Sequence, residues 1–141
     1  TGPAVDGGDF NPAPPWVWSA FVTYENEGFN TTVSWRRISE GIYNVNRIGP
    51  EDDGYDPTIE NSINTNRVKG ASYFNVAMTY QIPIGSGDQH VEVFGAIDNL
   101  FDRKPPVAPG GGSGAGSNYP TNPVFFDTFG SRFRAGLRVR Y

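Results

Sequence analysis

The sequence predicts an all-β fold of antiparallel strands, and three patterns support this prediction. In the last segment, residues 129–141, an apolar row alternates with a cationic row in which Gly136 takes one place; the rows are Phe133, Ala135, Leu137, Val139 and Tyr141, and Arg132, Arg134, Arg138 and Arg140. Since a strand places successive side chains on opposite faces, this segment has one apolar and one cationic face. The 18 glycines and 12 prolines indicate many turns and argue against long helices. The third pattern is a regular succession of short and long connections between alternating segments.

Alternation recurs in five segments, and each predicts a strand. The five predicted strands are residues 16–25, 29–38, 70–83, 90–101 and 128–141. The first two flank Asn26-Glu27-Gly28, and the next two flank a turn that contains Gly85 and Gly87. Both turns supply glycine for the positive φ of a tight hairpin. The fourth strand alternates less regularly, because Phe94 falls on its polar row.

The remaining residues predict loops. Residues 1–15 are rich in Gly, Pro and Asp and predict a loop or tail, and residues 39–69 and 102–127 predict two long loops. Loops this long are uncommon in compact domains unless they are functional. With 141 residues the chain fits one domain. It begins at Thr1 without a signal peptide, which suggests a mature form, a cleavage product or a portion of something longer.

Composition narrows the class of protein. A net charge of −4 gives no indication of nucleic-acid binding, and the lack of cysteine excludes disulfides and thiol chemistry. No apolar run approaches the roughly 20 residues of a membrane helix. Mean hydropathy is −0.46, which is compatible with a membrane β-barrel because its strands are only half apolar.

The order of connections favours a transmembrane β-barrel. Short turns and long loops alternate along the chain, as they do where tight turns lie at the periplasmic side and long loops outside. The lipid bilayer would then contact the apolar rows, while Arg132, Arg134, Arg138 and Arg140 would face the lumen. Trp16, Trp18 and Tyr141 lie at strand ends, where barrels carry aromatic girdles.

Five strands cannot close such a barrel. The smallest single-chain barrels have about eight strands, and an open edge is not tolerated in lipid. We therefore expect this chain to supply about five strands of an incomplete antiparallel transmembrane β-barrel. The other strands would come from the rest of a longer polypeptide or from another chain.

Two segments resemble motifs of the TonB-dependent outer-membrane receptors. Residues 97–106, Ile-Asp-Asn-Leu-Phe-Asp-Arg-Lys-Pro-Pro, resemble the segment that ends that family's penultimate strand. Residues 126–133, Phe-Asp-Thr-Phe-Gly-Ser-Arg-Phe, resemble the entry into its last strand. Two departures are Phe126 in place of Tyr and Ser131 between the family's Gly and Arg. The motifs cover residues 70–141, and residues 16–69 match by architecture only.

The resemblance implies a function and a set of partners. Such receptors reside in the bacterial outer membrane, bind a scarce ligand outside the cell and import it with energy from the TonB system. A plug inside a 22-stranded barrel transmits that energy. The resemblance also implies that Leu137, Val139 and Tyr141 form the signal read by the barrel-assembly machinery. It implies neither an enzyme nor a cofactor.

Candidate ligand contacts lie in the loops. Tyr43, Tyr55 and Tyr119 can stack on a sugar or another planar ligand. The alternative is that they pack on their own loops. For the four arginines of the last strand we favour pairing with acidic residues, Glu92 for example, over binding an anionic ligand. The candidate substrates are a siderophore, a cobalamin-like molecule, an oligosaccharide and a peptide. Tyrosine- and acid-rich loops favour a neutral polar ligand such as a glycan over a strongly anionic one.

Metal binding and catalysis find little support. Asp52, Asp53 and Asp56 form a weak candidate for Ca²⁺, but the EF-hand spacing is missing and we favour a solvated acidic loop. His90 is the sole histidine, so a zinc site within the chain is not expected. No arrangement of a nucleophile with a base stands out, so we predict that the chain is not an enzyme.

Two other classes of protein remain open. A secreted or surface β-sandwich could pack the apolar rows in its core and act as an adhesin or binding module. It would not need the alternation of short and long connections. A cleaved β-rich fragment could instead assemble through its strand edges.

Overall fold

The computed structural model describes residues 14–85, 87–107 and 121–141, and in these ranges the protein is all-β, without a helix. No helix in this part is therefore long and apolar enough to cross a membrane. The strands are β1 Val17–Asn26, β2 Phe29–Ile38, β3 Gly41–Ile42, β4 Arg67–Val68, β5 Ala71–Pro83, β6 His90–Asp98 and β7 Arg132–Arg140.

Five of these strands form one antiparallel sheet in the order β1-β2-β5-β6-β7. Each strand lies beside its neighbour in this series, so the sheet is a meander. It is open, with β1 and β7 as its edges, and is not a closed barrel. The all-β prediction and the five antiparallel strands are confirmed.

The structure differs from the prediction at three places. The strand predicted to reach residue 101 ends at Asp98, because Asn99 adopts a φ of 51° and leaves the extended conformation. The last strand begins at Arg132 rather than at 128. The loop predicted over 39–69 contains β3 and β4, which pair antiparallel with Gly41 opposite Val68.

The register of β5, β6 and β7 separates the side chains into two faces. Directly opposite residues share a face, and they alternate between apolar and polar rows. The apolar face comprises Val76-Ile97-Phe133, Met78-Gly95-Ala135, Tyr80-Val93-Leu137 and Ile82-Val91-Val139. The polar face comprises Ala77-Ala96-Arg134, Thr79-Phe94-Gly136, Gln81-Glu92-Arg138 and Pro83-His90-Arg140.

The chain divides into two compact units. One, the sheet unit, comprises residues 19–36, 72–103 and 129–141. The other, the loop unit, comprises the described parts of residues 1–18, 37–71 and 104–128. The apolar side chains buried in the loop unit are Ile38, Ile42, Val68, Ala71 and Phe126.

A buried asparagine organises the loop unit. The Asn66 side chain donates from Nδ2 to the Arg47 carbonyl and accepts at Oδ1 from the Asn44 backbone N–H, each at 2.9 Å. Its own carbonyl accepts from the Tyr43 N–H at 2.8 Å. These bonds supply the hydrogen-bond partners that the buried backbone groups of the long connection require. They hold the connection in its conformation, a task that regular secondary structure performs elsewhere.

Candidate functional site

The candidate functional surface is the apolar face of the sheet unit. On β7 the exposed fractions of Phe133, Leu137 and Val139 are 74%, 70% and 57%. Met78, Tyr80, Ile82 and Val93 on the neighbouring strands are also exposed. Soluble monomers rarely expose contiguous apolar areas of more than a few hundred Å², and larger exposed areas are typical of surfaces that contact a membrane or a partner protein.

Aromatic rings lie near both ends of this face. Near the ends from which the long connections begin, Trp35 stacks on Phe74 at 5.8 Å, and Phe101 meets the Phe74 ring edge-on at 5.4 Å. At the short-turn ends Tyr24 and Phe29 lie 6.5 Å apart. Tyr141 directly follows β7 at the same end, and the rows of the apolar face between the two groups are mainly aliphatic.

The polar face carries ion pairs between β6 and β7. Arg138 Nη1 donates to Glu92 Oε1 at 2.5 Å, the partner that the sequence suggested. Arg134 Nη2 and Arg132 Nε lie 3.4 and 3.8 Å from Asp98 Oδ2. Asp98 was missed as a partner. The signal available was its parity, because it falls on the same polar row as Glu92.

An aromatic ring and a glycine meet on the same face. Phe94 lies directly opposite Gly136, and a Cβ built at residue 136 would be 2.5 Å from Phe94 Cζ. The Arg138 guanidinium lies 5.9 Å from the centre of the Phe94 ring. The Phe94 ring therefore covers the backbone at Gly136, which has no side chain of its own. This contact explains why a phenylalanine occurs on the polar face.

The residues that carry the resemblance join the end of β6 to the start of β7. The Asn99 backbone N–H donates to Asn75 Oδ1 at 2.9 Å, and its side chain bonds both the carbonyl and the N–H of Arg103. Ser131 donates from Oγ to the Asn99 carbonyl at 2.6 Å, and its N–H donates to Asp102 Oδ1 at 3.1 Å. Ser131, a departure from the family pattern, thus makes two bonds across this junction.

The three candidate ligand tyrosines have different positions. Tyr43 is half-buried and lines a groove in the loop unit. Tyr55 donates from its hydroxyl to Asn64 Oδ1 at 2.9 Å, and Asn64 lines the same groove. Tyr119 lies outside the described residues. The structure therefore brings Tyr43 and the partner of Tyr55 together around one groove.

Two of the three candidate calcium ligands, Asp52 and Asp56, form hydrogen bonds or ion pairs with other residues of their own loop. Asp52 accepts at Oδ2 from the Gly49 N–H and lies 3.4 Å from Arg67. Asp56 accepts at Oδ1 from the hydroxyl and the N–H of Thr58, and these bonds lower the pKa of Asp56. Asp53 is exposed. In the described ranges no three His, Asp or Glu side chains are grouped to hold a metal ion.

The comparisons with known proteins add no identification. No protein family, characterised protein or solved structure matches this chain significantly. The functional argument therefore depends on the geometry of the two faces and of the loop unit.

Proposed function

We propose that this chain forms part of the wall of a TonB-dependent outer-membrane receptor, which binds a scarce ligand outside the cell and imports it. The observation that carries the proposal is the exposed apolar face, backed by a polar face with ion pairs. A membrane barrel needs this arrangement, because lipid meets one side of its wall and water or a plug meets the other.

Strand length supports a wall that crosses a bilayer. β1 and β2 have 10 residues, β6 and β7 have 9, and β5 has 13. A transmembrane strand needs about 9–11 residues at its usual tilt. The aromatic rings near both ends of the apolar face correspond to the two interfaces, where amphipathic rings are favoured.

The directions of the two open edge strands determine whether the number of missing strands is odd or even. In a five-stranded antiparallel meander the two edge strands run in the same direction. Antiparallel closure from β7 back to β1 therefore requires an odd number of further strands, which gives an even-numbered barrel. In this proposal the remaining strands and the plug come from the rest of the polypeptide or from another chain, and the plug engages TonB.

The proposal assigns a role to each candidate group. Arg132, Arg134, Arg138, Arg140 and Glu92 line the lumen, where ion pairing balances the cationic row. The long connections face the exterior and hold the ligand contacts. Leu137, Val139 and Tyr141 belong to the strand that the barrel-assembly machinery recognises, and the resemblance supports that role.

Spin labels on β7 test the proposal. Nitroxides placed singly at Ala135, Leu137 and Val139 should collide readily with oxygen, which partitions into lipid. Labels at Arg134 and Arg138 should collide instead with a water-soluble nickel chelate. The period of two should appear for the intact protein in its native membrane or in lipid vesicles.

The same labels distinguish the alternative classes. In a β-sandwich the apolar positions would be shielded from both reagents, and in a strand-edge assembly the protein would sediment as fibres without detergent. A folded protein that stays monomeric in buffer without detergent would refute the membrane proposal.

A further inference from the structure

The groove in the loop unit carries an inference about the ligand. Its volume is about 610 Å³, within the roughly 300–1,000 Å³ of small-molecule sites. The residues that line it are Tyr43, Ile63, Asn64, Thr65, Arg67, Val68 and Val107. Apolar groups dominate the lining, and a few polar groups and one aromatic ring accompany them, which is the usual composition of a binding site for a small organic molecule.

Two polar side chains of this groove, Asn64 and Arg67, have N–H donors that no described residue uses. The Tyr55 hydroxyl occupies Oδ1 of Asn64, so the amide Nδ2 is oriented and has no partner among the described residues. Arg67 engages Asp52 through Nη2 alone, at 3.4 Å. Since a guanidinium has five N–H donors, Nε and Nη1 of Arg67 are available to a ligand.

Charge argues against an anionic ligand. Asp52 already neutralises Arg67, the one cationic side chain among the described residues of the lining. Residues 39–69 contain six acidic and three basic side chains, a net charge of −3. An anion would meet a negative potential around the groove, whereas a neutral polyhydroxylated molecule would not.

We propose that this groove binds a neutral saccharide, with the Tyr43 ring against a sugar face and Asn64 and Arg67 donating to ring hydroxyls. Sugars present both an apolar face of C–H groups and a rim of hydroxyls, so they match a ring beside spare donors. The inference depends on the proposed function only in treating residues 39–69 as a loop that faces the exterior.

Calorimetric titration of the intact protein in detergent tests the inference. The probes are neutral tetrasaccharides of glucose, galactose, mannose and xylose, and tetragalacturonate is the anionic comparison. At least one neutral probe should bind more tightly than tetragalacturonate. Tyr43→Leu and Asn64→Leu should each weaken that binding about tenfold.

Two variants control for folding and charge. Tyr43→Phe keeps the ring and should retain affinity within about twofold. Lys69→Gln removes a positive charge two residues from Arg67 in sequence but outside the groove lining, and it should have no effect. Circular dichroism and heat-dependent gel mobility verify that each variant folds.

Three results would overturn the saccharide inference: no binding of any neutral probe at millimolar concentration, tighter binding of tetragalacturonate, or unchanged binding in Tyr43→Leu. None of them bears on the wall proposal, because the spin-label pattern on β7 involves no residue of the groove. A regular period of two on β7 together with an empty groove would retain the proposed receptor and reject this ligand class.

Discussion

Gly136 and Phe94 face each other across β6 and β7, and the ring fills the space that a side chain at 136 would need. A glycine inside a strand normally weakens it, since it offers no side chain for packing. Here the phenyl ring supplies that packing from the neighbouring strand. The pair explains both the glycine in a regular alternation and the phenylalanine on a polar row.

Gly136→Ala should therefore destabilise the protein by about 0.5–1.5 kcal/mol, the cost of forcing a side chain off its rotamer, because the new methyl group would lie 2.5 Å from the half-exposed Phe94 ring and the ring would have to move. Gly95→Ala is the matched control. The nearest atom to a Cβ at residue 95 is the Arg134 carbonyl oxygen, at 3.7 Å, so this variant should be neutral or slightly stabilising. Urea unfolding in lipid vesicles measures both, and equal stabilities would contradict the packing argument.

The turn at Asp56 gives a prediction about pH. Hydrogen bonds from the hydroxyl and the N–H of Thr58 stabilise the carboxylate and lower the pKa of Asp56. Because folding lowers this pKa, the turn contributes stability above the unfolded-state pKa and loses it as the pH falls through the folded-state pKa. Thr58→Ala should raise the pKa of Asp56 toward its ordinary value. Carbon-detected NMR titration of the Asp56 carboxyl measures the shift, and an unchanged pKa would refute the assigned cause.

At the scale of elements, period-two alternation was sufficient to locate all five strands of the sheet, because each runs for nine residues or more. β3 and β4 could not be found in this way. Each has 2 residues, too few to show a period, and their pairing joins positions 41 and 68, far apart in sequence. The groove was equally hidden, since Tyr43 and Asn64 come together only through that pairing and the bonds of Asn66.

The junction between β6 and β7 shows a second limit of sequence reasoning. Asn99, Asp102 and Ser131 were recognised as parts of motifs, but their mutual hydrogen bonds span about thirty residues and follow no local rule. The bonds hold the end of one strand against the start of the next.

Ser131→Ala should loosen this junction. The change removes the 2.6 Å bond from the hydroxyl to the Asn99 carbonyl, at an expected cost of about 0.5–1.5 kcal/mol. Hydrogen exchange should accelerate at the first amides of β7 and stay unchanged at its far end. Ser19→Ala, on exposed β1, is the control for loss of a serine hydroxyl. Uniform acceleration along β7 would indicate a general loss of stability and would contradict a local role.

At the scale of the whole molecule, the open sheet can be completed to a barrel in two ways, by further copies of this chain or by a different segment. Head-to-tail closure by copies of this chain would bring β7 against β1 of the next copy in parallel, because the two edge strands run in the same direction. Outer-membrane barrels are antiparallel throughout, so a ring of identical chains does not satisfy the geometry. Closure by a different segment with an odd number of strands does satisfy it.

The medium that contacts the apolar face, water or lipid, determines how much unfolding free energy an arginine substitution on that face would cost. Leu137 on the apolar face and Phe21 on β1 have similar exposed fractions of 70% and 75%. Phe21 shares its face with Thr23, whose hydroxyl hydrogen-bonds that of Thr32 on β2. Thr32 in turn shares its face with Ser34, which bonds Asn75 on the polar face of β5, so Phe21 lies on the polar face. In water, an arginine at either position would cost little. In a bilayer, Leu137→Arg would place a charge in the hydrocarbon and cost about 2–4 kcal/mol if it lies near the midplane, whereas Phe21→Arg would face the lumen.

We therefore expect Leu137→Arg to lower the unfolding free energy in lipid vesicles and Phe21→Arg to leave it within about 0.5 kcal/mol of the parent. The comparison isolates the face, since both substitutions replace a large exposed apolar side chain by the same cation. Bilayer thickness adds a second variable, because thinner lipids bring residue 137 closer to the interface and should reduce the cost. Equal effects of the two variants, or a cost that ignores bilayer thickness, would mean that something other than lipid covers the apolar face.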